Sequence, residues 1–119
     1  REIYFSYIKI NYISRKKMSK ENDNILINSD LKEIIPKFLQ NRKSDINTIN
    51  ELIISSDFNQ IKHIAHKMAG SSGSYGFKKM GELGKEIELA ASEQDLSKIK
   101  DKLAALNQHF NNLDIKFID

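Results

Sequence analysis

From Ser29 onward the apolar residues recur at helical spacing. Leu31, Ile34, Ile35, Phe38 and Leu39, then Ile46, Ile49, Leu52 and Ile53, follow an i, i+3, i+4 pattern, with Ser29 or Asp30 as the expected N-cap. Pro36 is expected to kink or restart this first helix. Ser55, Ser56 and Asp57 break the pattern and offer a new cap, so the spacing predicts a second helix from Phe58 to about Ser72. The stretch Gly70 to Gly76, GSSGSYG, has the composition that ends a helix and turns the chain. A third helix is predicted over 77–91, with Phe77, Met80, Leu83 and Ile87 as its core stripe. A fourth opens near Glu93 to Asp95 and carries Leu96, Ile99, Leu103, Leu106 and Phe110. Valine is absent, and nothing outside the first residues alternates with period two for more than a few positions. The expected fold is all-α, an antiparallel four-helix bundle with an additional N-terminal segment. Its expected divisions are a leader over 1–28, the bundle over 29–112 and a tail over 113–119.

Composition narrows the chemistry. At 119 residues the chain is the size of one domain. It is expected to bury roughly two-thirds of its unfolded surface without staples. Having no cysteine, it holds no disulfide, no thiolate zinc site and no thiol nucleophile, which fits a cytoplasmic protein. The net charge of +3 and pI near 9.1 invite a nucleic-acid or membrane-surface reading. The distribution argues against it. Residues 1–20 hold six basic side chains against one acidic, a net of +5, so residues 21–119 carry −2. No apolar run exceeds the four residues Leu103 to Leu106, so neither a membrane span nor a signal-peptide core is expected. Residues 1–17 hold three of the four tyrosines. They read as an upstream remnant preceding a start at Met18, or as a basic aromatic segment that docks on the domain, a partner or anionic lipid.

The second helix has two different faces. At about 100° per residue, Ile61, Ile64, Met68 and Tyr75 fall within roughly 40° of the pole opposite His66, whereas Asn59, Lys62, Gly70 and Gly73 cluster around the histidine itself. Glycine within a helix costs about 1 kcal/mol relative to alanine. Gly70, one turn beyond His66, therefore implies close approach by another molecule or by a group on the imidazole. A neutral imidazole with its proton on Nδ1 has a nucleophilic Nε2. The exposed face thus suits a histidine nucleophile that meets a partner.

The run His66 to Gly76, HKMAGSSGSYG, with Phe77, Met80, Leu83, Gly84 and Ile87 following, closely resembles the histidine-containing phosphotransfer (HPt) domain family over residues 29–112. The resemblance implies that His66 accepts a phosphoryl group from an aspartyl phosphate on a receiver domain and hands it to another receiver. It implies a carrier without kinase activity or a cofactor of its own, with Mg²⁺ on the partner receiver. The implied partners are response-regulator receiver domains and a hybrid sensor kinase, and the implied state is a cytoplasmic monomer. Gly70 matches the family glycine beside the phosphorylated ring. Glu88 falls where a Glu or Gln close to the histidine is common; it could accept the Nδ1 proton, or be a solvated glutamate. One departure stands out: the usual lysine three positions after the histidine is Ala69 here. Lys62, Lys67 or Lys85 is expected to supply the missing cation, unless the partner does or the domain transfers slowly. Lys62, Lys67, Lys78 and Lys79 are placed near the rim of the docking surface. The alternative function is a helical adaptor that binds a response regulator without being phosphorylated.

Other constellations point elsewhere less well. His63 and His66, at i, i+3, have no evident third or fourth metal ligand. Gly70, Gly73 and Gly76 follow a helix and lack the Gly-Lys-Ser/Thr ending of a phosphate loop. His109 is expected to complement the dipole at the end of the last helix. Ser71 and Ser72 read as helix-terminating rather than catalytic.

Overall fold

A computed structural model describes residues 24–119; the readings made for residues 1–17, and Met18, lie outside the described residues. Strand β1 (Asn24–Asn28) leads through a 3-10 turn (Ser29–Leu31) into α1 (Ile35–Ser55), followed by α2 (Phe58–Ser74), α3 (Lys78–Ser92), α4 (Leu96–Asn111) and strand β2 (Asp114–Ile118). Pro36 sits in the first turn of α1, where its missing N–H costs no helical hydrogen bond, so it starts the helix instead of kinking it. Ser29 and Asp30 do not cap α1. They belong to the preceding turn, where the Asn28 side chain accepts from the Asp30 N–H at 2.7 Å, and Ile34 occupies the cap position without a side-chain bond.

Two of the three helix junctions use one device. Ser56 and Gln94 take left-handed conformations (φ 54° and 55°), and the aspartate after each serves both helices. The Asp57 N–H donates to the Leu52 carbonyl while its carboxylate accepts from Gln60 N–H at the start of α2. Asp95 does the same between Ala90 and Lys98. At the remaining junction Gly76 (φ 92°) makes the turn. Gly70 and Gly73 are helical, so α2 runs through the GSSGS stretch and ends two residues later than expected. Loops this short place successive helices antiparallel.

Each helix packs against two neighbours, α1 on α2 and α4, and α3 on α2 and α4, which closes a four-helix bundle. The core is built from Phe38, Ile46 and Ile49 of α1, Ile61 and Met68 of α2, Met80 and Ile87 of α3, and Ile99, Leu106 and Phe110 of α4, with Phe77 stacked on Phe38 at 4.8 Å. His109 lies in the last turn of α4, where the sequence places it, and is buried with this core.

Strands β1 and β2 pair in parallel, Ile25 opposite Ile115 and Ile27 opposite Phe117, which joins the segments on either side of the bundle. Ile25 and Ile27 are buried, and Ile27 lies against the Gly76 turn. The folded unit therefore extends past the 29–112 stretch marked by helical spacing, taking in residues assigned to the leader and the tail.

The most extensive packing joins α2 to α3. A Cβ at Gly84 would lie 3.2 Å from the Ala69 nitrogen and 3.3 Å from the Ala65 carbonyl oxygen, and one at Gly81 would lie 3.2 Å from the Ala69 oxygen. These neighbours are backbone atoms and cannot turn aside, so the two glycines set how close the helices come. Gly84→Val is expected to destabilise the fold by about 1–3 kcal/mol in urea denaturation. Unchanged stability would show that the approach is not limiting.

Candidate functional site

The buried face of α2 is wider than the pole opposite His66. Ile61 and Met68 are buried there, Ile64 and Tyr75 are half-buried, and burial extends round to Ala65 and Ser72 because α3 packs on that side. His66 remains outside this arc, with 71% of its side chain exposed. Ser71 and Ser72 lie inside the helix rather than ending it: Ser71 accepts a hydrogen bond from Arg42 of α1, and Ser72 is fully buried.

Because α3 lies so close, Glu88 reaches His66. Its Oε2 is 3.0 Å from Nδ1, and its side chain is half-buried at 23% exposure. A carboxylate can only accept, so the ring donates through Nδ1–H, and the neutral ring carries its lone pair on Nε2. The structure thus places Glu88 against the Nδ1 of His66.

Beside the imidazole lies a depression of about 600 Å³ between α2 and α3. Ala69, Gly70 and Gly73 line one side, and Lys78, Gly81, Glu82, Lys85 and Glu88 the other. A Cβ at Gly70 or Gly73 would meet nothing within 4 Å. No contact within the described fold requires either glycine.

The candidate lysines separate. Lys85 lines the depression with His66; Lys62 and Lys67 do not. Lys67 faces α1, where burial raises the Asp45 carboxyl above its ordinary range while Arg42, at 2.9 Å, and Lys67 pull it partly back. Lys78, expected at the rim, lines the depression itself, whereas Lys79 does not. Helical spacing did not single out Gly81 and Glu82. The signal for Gly81 was available: two glycines three residues apart inside one helix need a packing reason. Among the described residues no group of three or more His, Asp or Glu could hold a metal ion, and His63 is an exposed side chain of α2.

The Hpt domain family profile matches residues 33–114, the whole helical bundle with His66 and Glu88 inside it. The chain belongs to the Hpt domain family. Hpt domains serve histidine phosphotransfer in phosphorelays and interact with receiver domains. Comparisons with curated proteins and with solved structures yield no match. Among the described residues no helix of this Hpt domain is long and apolar enough to cross a membrane.

Gly70→Ala separates folding from function. With open space for the methyl group and a better helix former in place, stability is expected to rise by about 1 kcal/mol. Phosphotransfer is expected to slow by roughly tenfold or more, because the methyl displaces whatever approaches His66. A variant that is both more stable and equally fast would remove the functional reason for the glycine.

Proposed function

We propose that His66 is the phosphoacceptor of a two-component phosphorelay, loaded from the aspartyl phosphate of one receiver domain and discharged to the aspartate of another. The observation that carries this reading is the Nδ1 to Glu88 hydrogen bond on a ring exposed beside an open depression. The Nε2 lone pair attacks phosphorus, the N–P bond forms as the bond from phosphorus to the aspartyl oxygen breaks, and the receiver recovers its carboxylate. The ring gains positive charge as this happens, and the Glu88 carboxylate stabilises it through Nδ1–H. Discharge is the same step reversed onto a second receiver.

The protein is then a carrier rather than an enzyme with kinase activity, and it needs no cofactor of its own. The Mg²⁺ that assists phosphoryl transfer belongs to the receiver. A hybrid sensor kinase is the upstream source in this reading. The domain works as a cytoplasmic monomer, and residues 24–119, with 13 basic side chains against 13 acidic, give little electrostatic attraction for nucleic acid. Gly70 leaves space for the partner and the phosphorylated ring.

Ala69 favours a second reading, an adaptor that binds a response regulator without phosphorylation, because the position of the family's usual lysine carries no charge. Incubation with a phosphorylated receiver separates the two. The carrier predicts an acid-labile, base-stable label on the wild type and none on His66→Gln. Binding with no label on either protein would establish the adaptor instead.

A further inference from the structure

The depression beside His66 has an unusual charge layout. Lys78, Glu82, Lys85 and Glu88 line it, all from α3, and none of its α2 lining residues other than His66 can carry charge. At spacings of four, three and three residues these four form one stripe along α3. Their charges cancel. A phosphoryl group on His66 adds about −1.5 to −2 at neutral pH, so the occupied site becomes net negative, and among the described residues that line it the two ammonium groups are the only fixed positive charges apart from the ring. Glu88 is engaged by the imidazole. Lys98 and Lys102 are paired with Glu93 and Glu86, and Lys67 acts on Asp45, whereas neither Lys78 nor Lys85 is in an ion pair among the described residues.

We infer that Lys85, assisted by Lys78, holds the phosphoryl oxygens on His66, so that α3 supplies both groups that act on the nucleophile. Glu88 sets the ring, and Lys85, three residues earlier on the same stripe, meets the charge that arrives on it. This deepens the proposed function and rests on His66 being the phosphoacceptor. An ammonium group is a compact donor on a flexible stem, and it can reach a phosphoryl group without a preformed cradle. Ala69 is then tolerated because the helix opposite carries the charge.

Phosphoramidate, which can phosphorylate histidine directly with loss of ammonia, tests this without a receiver. In the transfer, the Nε2–P bond forms as the P–N bond of the donor breaks. Charging of the full chain, followed by ³¹P NMR, is expected to slow about two- to fivefold in Lys85→Gln, an effect sized for an exposed, screened ion pair. Lys85→Arg should restore much of the rate, and Ala69→Lys introduced into Lys85→Gln should rescue it from the opposite wall. The wild-type rate should fall with added salt more steeply than that of Lys78→Gln/Lys85→Gln, a dependence that a merely structural role would not produce. Lys100→Gln, at an exposed position of α4 that does not line the depression, serves as the control at the wild-type rate. Equal charging rates and equal salt slopes in wild type and the double variant would overturn the lysine assignment alone. Failure of the wild type to be charged by either phosphoramidate or a phosphorylated receiver would overturn the phosphoacceptor reading beneath it.

Discussion

The close approach of α2 and α3 is the constraint on which the site depends. Gly81 and Gly84 bring the backbone of α3 onto Ala65 and Ala69, and at that separation Glu88 can place Oε2 3.0 Å from Nδ1 of a histidine that remains mostly in solvent. A longer separation would leave Glu88 solvated and both ring tautomers accessible. The same contact brings Lys78 and Lys85 to the wall of the depression. Packing energetics and site chemistry are therefore set by one interface. The rest of the bundle, from the Phe38 and Phe77 stack to the aspartates that close one helix and open the next, holds that interface in place.

Glycine plays two opposite parts at this interface. At Gly81 and Gly84 a side chain would collide with backbone, so the residue is demanded by the fold. At Gly70 and Gly73 a side chain would meet nothing. All four are inside helices, where each carries the same intrinsic cost, yet only the second pair borders open space. Helix propensity shows that such residues need a reason. The three-dimensional surroundings show which reason applies.

Much of this was legible in the spacing of apolar residues. The Ile61 and Met68 stripe, the Met80, Leu83 and Ile87 stripe and the aspartates at 57 and 95 mark helices and caps strongly, because each element is long enough for a 3.6-residue period to repeat. The helix-face argument for His66 and Gly70 needs only local geometry, and both lie on the exposed side of α2. What escaped depends on partners distant in sequence. Strands β1 and β2 have five residues each, too few for alternation to register, and they exist because the two flanks of the bundle meet. Of Lys62, Lys67 and Lys85, only Lys85 lines the depression, since that depends on which helix packs beside α2 and at what rotation. Pro36 could be read as a kink or a start, and the 3-10 turn upstream decided in favour of the start.

The central claim is that Glu88 fixes the His66 ring with its proton on Nδ1 and its lone pair on Nε2. Long-range ¹H–¹⁵N correlation spectra of the neutral ring measure this directly, since protonated and unprotonated ring nitrogens have widely separated shifts. A single tautomer is predicted, with Nδ1 protonated and Nε2 bare, shifting toward a mixture in Glu88→Ala. A wild-type ring protonated on Nε2, or a mixture unchanged by removing Glu88, would contradict it.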